Sequence, residues 1–364
     1  MTGINFSGSR PELEKCLEKA LAEKPLADEE ILYLLGLEER EELEQLFKTA
    51  RLLRERYFGR KVFLYGFLLF STWCRNRCSF CCYRAPNSLV RRYRKTREEL
   101  GEAAVKLAES GVHLLDLTMG EDPLYYREGG EERLIGMVRF IKNKTGLPLM
   151  ISPGTLSPAA LSALAREGVK WFACYQETHN RSLYRRLRLG QDYDYRMEMK
   201  RTALRLGFLI EEGILAGVGE TPVDIVNSFR AMAELGAHQV RVMSFIPQAG
   251  TPLEDHPTPP RLRELKIIAL LRLLFPDRLI PASLDVDGIE GLKTRMEAGA
   301  NVVTSLIPPR SGLQGVSNST LQVDEGCRTA ERVSSELARM GLAAATAREY
   351  AGWIRRAQNS RLTG

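Results

Sequence analysis

Strand-like and helix-like segments alternate eight times between residues 61 and 340, and no other feature limits the fold as tightly. Apolar or mixed runs at 62–70, 113–118, 148–152, 170–176, 209–217, 238–244, 278–284 and 301–305 read as strands. Helical spacing fills 96–110, 131–145, 157–168, 193–207, 222–235, 260–274, 286–298 and, after the last strand, 322–340. Eight such units over about 270 residues match an α/β fold of the (β/α)8 TIM-type barrel. An open doubly wound sheet would alternate in a similar way. Its Gly-x-Gly-x-x-Gly turn is absent after the first strand, however, so the barrel is expected. Residues 10–22, 27–35 and 38–57 read as an N-terminal helical arm, with Ser9 as a cap and Pro11 in the first turn. Residues 345–358 read as a C-terminal helix carrying Trp353, expected against the barrel exterior. The domain boundaries implied are 1–60, 61–342 and 343–364.

Where that glycine turn is missing, cysteines stand instead. Cys74, Cys78 and Cys81 follow the first strand at the spacing C-x3-C-x2-C, with the aromatic Phe80 just before the third. A compact loop leaving a strand end can point three thiolates at one spot. Thiolates ligate iron–sulfur clusters, and a 4Fe–4S cluster usually takes four of them. Three ligands leave one iron open to a small molecule. A structural zinc site wants four ligands in two paired groups. Cys82 abuts Cys81, and neighbours rarely reach one tetrahedral ion together. Seven cysteines in 364 residues are too sparse, and odd in number, for a disulfide framework.

Unpaired thiols imply a reducing, cytoplasmic setting, and no signal-peptide pattern opens the chain. No run of about 18 apolar residues indicates a membrane span. The net charge of +6 is modest, although basic residues bunch at 91–95 and 185–188. A nucleic-acid face would use such bunches; solvated helix surface is the preferred reading.

Barrel enzymes place their chemistry at the C-terminal strand ends. Asp116 and Thr118 share a face of the second strand, either to meet a ligand or to bond a neighbouring strand. The third strand ends at Ser152. Glu177 lies just past the fourth, in phase with Tyr175, while Cys174 falls on the opposite phase, toward the helical shell. Arg196 opens a helix in the basic stretch that follows, and Gly217 ends the fifth strand. Arg241 points inward from the sixth strand, and Ser283 and Asp285 share a face of the seventh. A guanidinium inside a barrel is costly unless an anion meets it. One inward Arg with Asp116, Ser283 and Asp285 describes a cage for a zwitterion; the alternative is a structural Arg241–Asp285 ion pair.

The cysteine spacing with Phe80 resembles the radical S-adenosylmethionine (SAM) superfamily, whose signature is C-x3-C-x-aromatic-C. That resemblance implies one 4Fe–4S cluster on Cys74, Cys78 and Cys81, with SAM on its open iron. It also implies that the segment Gly120, Glu121, Asp122 and Pro123 holds the amino group of SAM, and that Arg196 grips its carboxylate. Phe80, Ser152, Glu177 and the glycine-rich segment ending at Gly217 would complete the SAM site. The segments around Cys74, Gly120, Tyr175, Ile280 and Gly299 resemble the 3-methylornithine synthase family within it. This implies an isomerase that converts L-lysine into (3R)-3-methyl-D-ornithine, the first step of pyrrolysine biosynthesis. A 5′-deoxyadenosyl radical would take a side-chain hydrogen, and the carbon skeleton would fragment and rejoin branched. Asp116, Thr118, Arg241, Ser283 and Asp285 would hold the lysine, and a flavodoxin or ferredoxin would supply the electron. An iron-only hydrogenase maturase-like enzyme acting on another small amino acid, and an RNA-binding or tRNA-modifying iron–sulfur protein, are the rival readings.

Overall fold

The computed structural model describes residues 10–317 and 323–359. Three helices lead: α1 (Pro11–Leu21), α2 (Asp28–Leu35) and α3 (Arg40–Phe58). Pro11 stands in the first turn of α1, where its missing N–H costs nothing; Ser9 lies outside the described residues. The alternating part runs β1 (Lys61–Ser71), α4 (Arg97–Glu109), β2 (Leu114–Met119), α5 (Pro123–Tyr126), α6 (Gly130–Thr145), β3 (Leu149–Ser152), α7 (Pro158–Arg166), β4 (Trp171–Ala173), α8 (Arg181–Leu187), α9 (Tyr193–Arg205), β5 (Leu209–Ala216), α10 (Pro222–Leu235), β6 (Gln239–Ser244), α11 (Arg261–Leu274), β7 (Pro281–Ser283), α12 (Leu292–Glu297), β8 (Val302–Leu306) and α13 (Ala330–Arg339).

These strands are parallel, in the order β6-β5-β4-β3-β2-β1-β8-β7. Every residue of β1 after Lys61 is buried, because one face meets the barrel interior and the other the helical shell. The ring closes between β6 and β7 at a single point. Gln239 bridges Leu279 there, and the Val240 N–H donates to the Leu279 carbonyl at 3.0 Å. Pro281 then opens β7 and has no N–H to offer, so above the bridge β7 pairs with β8 alone. The barrel is nearly closed, with a seam toward its C-terminal mouth.

Besides the last barrel helix, expected over 322–340 and beginning only at Ala330 after turns at 323–328, three segments differ from the sequence expectation. The fourth strand has three residues, so strand phase no longer governs Cys174. The helix expected from 286 begins at Leu292, because Asp287 and Gly288 turn through φ of +64° and +55°. The third difference is the tail. A short strand, β9 (Ala343–Ala344), pairs with Lys61 and Val62 at the start of β1, and α14 (Ala347–Asn359) follows. Tyr350, Trp353 and Ile354 form one apolar face of α14, and that face joins Phe63, Tyr65, Trp171 and Leu209 from the lower interior of the barrel. The rings of Trp353 and Trp171 stack at 5.7 Å, and the hydroxyl of Tyr350 donates to that of Tyr65 at 2.8 Å. The C-terminal helix is therefore a plug under the barrel, not a cover on its outside.

His113 pins the plug. Its Nδ1 accepts from Leu64 N–H at 2.8 Å, so its Nε2 carries the proton and donates to the Ala345 carbonyl at 2.7 Å. Burial lowers its pKa from the ordinary 6.5, because a charged ring there would lose water. The unfolded chain then binds more protons than the folded one as pH falls below 6.5, so stability is present above that value and lost below it. The unfolding midpoint should drop on acidification from neutral pH, and His113→Gln should flatten part of that drop. A variant with the wild-type pH profile of thermal unfolding would exclude this role.

Candidate active site

The C-terminal mouth holds a cavity of about 230 Å³. Its upper wall is the loop after β1, and Cys74, Cys78 and Cys81 all line it. The side chain of Arg92 ties this loop together by donating to the carbonyls of Thr72, Tyr83, Arg84 and Asn87. Asn87 adds bonds to the Cys82 and Ala249 carbonyls, each 2.9 Å. Ser79 anchors the loop to the end of α8, its N–H on Leu187 and its hydroxyl on Arg186. Such ties give three thiols one fixed relation to each other. Burial pushes the Cys74 thiol up to about 12, with Cys81 and Cys78 adding to the effect. Cys78 is also raised by burial, although Arg188 and a 3.1 Å bond from Gln191 oppose it. Iron entering here must displace protons. Among the described residues no three His, Cys, Asp or Glu side chains converge to hold a single ion. Three cysteines lining one cavity from a tied loop fit a cluster, whose irons occupy separate corners.

Gly120 and Glu121, at the end of β2, line the cavity. A Cβ at Gly120 would collide with the Trp73 carbonyl, so the glycine is required by the neighbouring loop itself. Glu121 accepts from Arg75 at 3.0 Å and from Thr155 N–H at 3.3 Å, and lies 3.7 Å from Arg196 Nη1. Arg196 is buried and held by a 2.9 Å bond from its Nε to the Tyr175 carbonyl. Its Nη1 has no hydrogen-bond partner. A buried guanidinium N–H left over beside a cavity fits a carboxylate ligand. Glu177, at φ +67°, pairs with Arg188 at 2.6 Å, and the Arg188 guanidinium lies 5.5 Å from the Phe80 ring centre. Phe80, Ser152, Glu177 and Arg188 all line the cavity. So does Cys174, contrary to the expectation that it faces the helices.

Two expected SAM contacts lie elsewhere. Asp122 is absent from the cavity wall: its carboxylate accepts from Nε and Nη2 of Arg94 at 2.7 and 2.8 Å, from the Ser71 hydroxyl, and from the Leu124 N–H as a helix cap. It fastens the β1 and β2 ends to each other. Gly217 is also off the wall; a side chain there would run into Pro259, and its φ is +92°. Both residues were legible as special, but for structural reasons.

The lower wall carries Asp116, Thr118, Ser152, Tyr175, Arg241 and Thr304. Asp116 accepts from Thr118 at 2.9 Å and from Ser152 at 3.0 Å. Burial, then the charge of Glu211, pushes the Asp116 pKa up to about 7 despite those bonds and Arg241. Arg241 does not pair with Asp285. Its Nε lies 2.8 Å from the Glu211 carboxylate on β5, its Nη2 donates to Thr304 at 3.1 Å, and it sits 5.4 Å from the Tyr175 ring centre. The Tyr175 hydroxyl donates to the other Glu211 oxygen at 2.9 Å. Asp285 instead meets Arg328 at 3.0 Å and the Ser305 hydroxyl at 2.7 Å, and Ser283 lies 3.4 Å from that same hydroxyl. Ser305 and Thr304 line the cavity, whereas Ser283 and Asp285 stand one layer behind. Glu211, Arg188 and Arg92 are the residues the sequence reading missed. Of these only Glu211 carried a signal: a charge inside an apolar strand, two residues before Gly213, the register partner of Arg241.

A family model described as the Radical SAM superfamily matches residues 68–232. The chain is 45% identical over 339 residues to the 3-methylornithine synthase of Methanosarcina acetivorans, covering 93% of this chain and 96% of that protein. It is 31% identical over 290 residues to the FeFe-hydrogenase maturase subunit HydE of Thermotoga maritima, covering 79% and 82%. A crystal structure of methylornithine synthase matches with a TM-score of 0.89 at 44% identity, covering 93% of this chain and 99% of that one.

Proposed function

The chain belongs to the radical SAM superfamily and, within it, to the 3-methylornithine synthase family, and from that membership we propose that it rearranges L-lysine to (3R)-3-methyl-D-ornithine. Cys74, Cys78 and Cys81 hold one 4Fe–4S cluster, fed by a one-electron donor such as flavodoxin or ferredoxin in the cytoplasm. When bound, cluster and SAM together supply the radical that takes a hydrogen from the lysine side chain. The chain's own residues bind and orient. Arg196 offers its free Nη1 to the SAM carboxylate, and Glu121, with Gly120 beside it, offers acceptors to the SAM ammonium. Phe80, Ser152 and the Glu177–Arg188 pair shape the rest of that pocket.

Lysine lies below, on the floor formed by Asp116, Thr118 and Arg241. One observation carries this reading: the buried guanidinium of Arg241 and the half-buried carboxylate of Asp116 line the same small cavity as the three cysteines. A diamino acid needs both signs, an N–H fork for its carboxylate and acceptors for its ammonium groups. Ser283 and Asp285 back this floor through Ser305, and Asp285 reaches the ligand only by sharing its present partners. No residue has to act as a strong acid or base. Anaerobic incubation of reconstituted protein with SAM, reductant and L-lysine, then chiral mass spectrometry of the amino acids, tests the proposal. Cleavage of SAM without a branched diamino acid would move the chain to the maturase-like reading.

The SAM role separates from the lysine role by mutation. Arg196→Ala should weaken SAM binding by about tenfold to a hundredfold, the range for losing one charge-assisted bond of about 1.5–3 kcal/mol. The loss should be the same with and without lysine, measured by equilibrium dialysis of labelled SAM. A loss seen only with lysine present would place Arg196 on the substrate instead.

A further inference from the structure

The outer face of the cysteine loop has a composition that ligand binding does not use. Of the 27 residues at 71–97, eight are Arg or Lys and none is Asp or Glu. Arg75, Arg94 and Lys95 are paired with Glu121, Asp122 and Glu99. Arg92 spends its donors on four carbonyls of the loop. Among the described residues Arg77, Arg84, Arg91 and Arg97 have no carboxylate within 4.0 Å. Arg77 and Arg91 are exposed. Two large apolar side chains stand out among these cations: Trp73 is 45% exposed, and Leu89 is 72% exposed. The guanidinium groups of Arg92 and Arg94 each lie 5.9 Å from the Trp73 ring centre. Unpaired cations around exposed apolar side chains are the make-up of a protein-binding face rather than of a solvated surface. The loop that packs on Ser79 carries Glu254 and Asp255, and neither is paired with a cation of this face.

Resting on the reading that the three thiols hold a cluster, we infer that this face is where the small acidic one-electron carrier proposed above docks. The cluster needs an electron from outside, and the loop that would hold it reaches solvent within one residue of a ligand, since Cys74 lines the cavity and Trp73 is exposed. Arg77, Arg84, Arg91 and Arg97, the four without a carboxylate within 4.0 Å among the described residues, steer an acidic partner to that layer and repel a basic one. Trp73, next to Cys74, and Leu89 supply the apolar contacts that hold the encounter. One electron leaves the reduced carrier and enters the cluster; the carrier is oxidised by one electron, and no bond forms or breaks in that step.

The test uses an acidic flavodoxin as the probe and the double variant Arg77→Glu/Arg91→Glu, with Leu89→Ser as an uncharged partner variant. Binding of flavodoxin to reconstituted protein is measured by calorimetry at about 0.01 M and 0.15 M salt, where the screening length falls from about 30 Å to about 8 Å. Wild type should bind more weakly at the higher salt. The double variant should lose about tenfold or more in affinity at low salt and lose its salt dependence. SAM cleavage driven by flavodoxin hydroquinone should fall with it, while dithionite-driven cleavage and iron content stay at wild-type levels. Leu89→Ser should weaken binding at both salts. Neither readout uses lysine, so the result is independent of the substrate. No SAM cleavage in either arm would instead count against the cluster reading. Unchanged flavodoxin binding in the double variant would overturn the docking face. So would tight binding of transfer RNA that the double variant abolishes, which would assign the face to nucleic acid.

Discussion

Replacing Cys74, Cys78 or Cys81 by Ala is expected to abolish iron, colour and SAM cleavage together, while Cys82→Ala keeps all of them. One cluster demands about four irons and four sulfides per chain, and three cysteines that line the cavity from a tied loop are its only anchors in the proposed site. Cys82 makes this a demanding comparison, because it is buried, lines the same cavity, and shares a hydrogen bond with Cys81 that raises the Cys81 pKa. Its carbonyl is held by the bond from Asn87, and the proposed site takes its neighbour Cys81 and not Cys82 as the third ligand. Iron and sulfide analysis of anaerobically purified variants decides. Equal loss of iron in Cys82→Ala would falsify the three-ligand site.

The second large effect belongs to Arg241. Removing one partner of a buried charge pair costs about 3–5 kcal/mol, because the other charge stays buried without compensation. Arg241→Ala leaves Glu211 in that state, so the single variant confounds substrate binding with folding. Arg241→Met with Glu211→Gln removes both charges and avoids the orphan. This double variant should fold and bind SAM as wild type does, and should show no lysine-dependent turnover. The substrate can be varied in place of the protein. Each loss of about 1.36 kcal/mol is tenfold in rate, so losing one buried charge contact should lower kcat/KM by roughly two to three decades. Norleucine, without the terminal amine, and cadaverine, without the carboxylate, should both be very poor substrates. Turnover of norleucine near that of lysine would remove Asp116 and its neighbours from the binding floor.

Why these residues and not others could be foreseen has a physical basis. The barrel was readable because each unit writes its own local period, and the cysteine loop because its ligands lie within eight residues. Asp116 and Arg241 stood out as charges on apolar strands. The counter-ion of Arg241 was misassigned because strand phase says which face a side chain takes, not which neighbour it meets. Asp285 sits on the far side of the seam, where β7 and β6 touch only at Gln239, and Arg328 claims it instead. Asp122 and Gly217 match a motif whose residues do two jobs, and here the structural job accounts for them. Local pattern could not place α14 either: Tyr350, Trp353 and Ile354 at helical spacing announce an apolar face without saying what it covers.

That last helix has a consequence for how the molecule is made. β1 is among the first barrel segments to leave the ribosome, and its opening residues wait for β9, separated from it by 282 positions between Lys61 and Ala343. Until then Phe63, Tyr65 and Trp171 line an open lower rim. Contacts of such long sequence separation form slowly, and domains otherwise begin folding from the N-terminal end during synthesis. The barrel is therefore sealed from below only once α14 has been made, so that translation itself sets the moment at which the interior becomes dry.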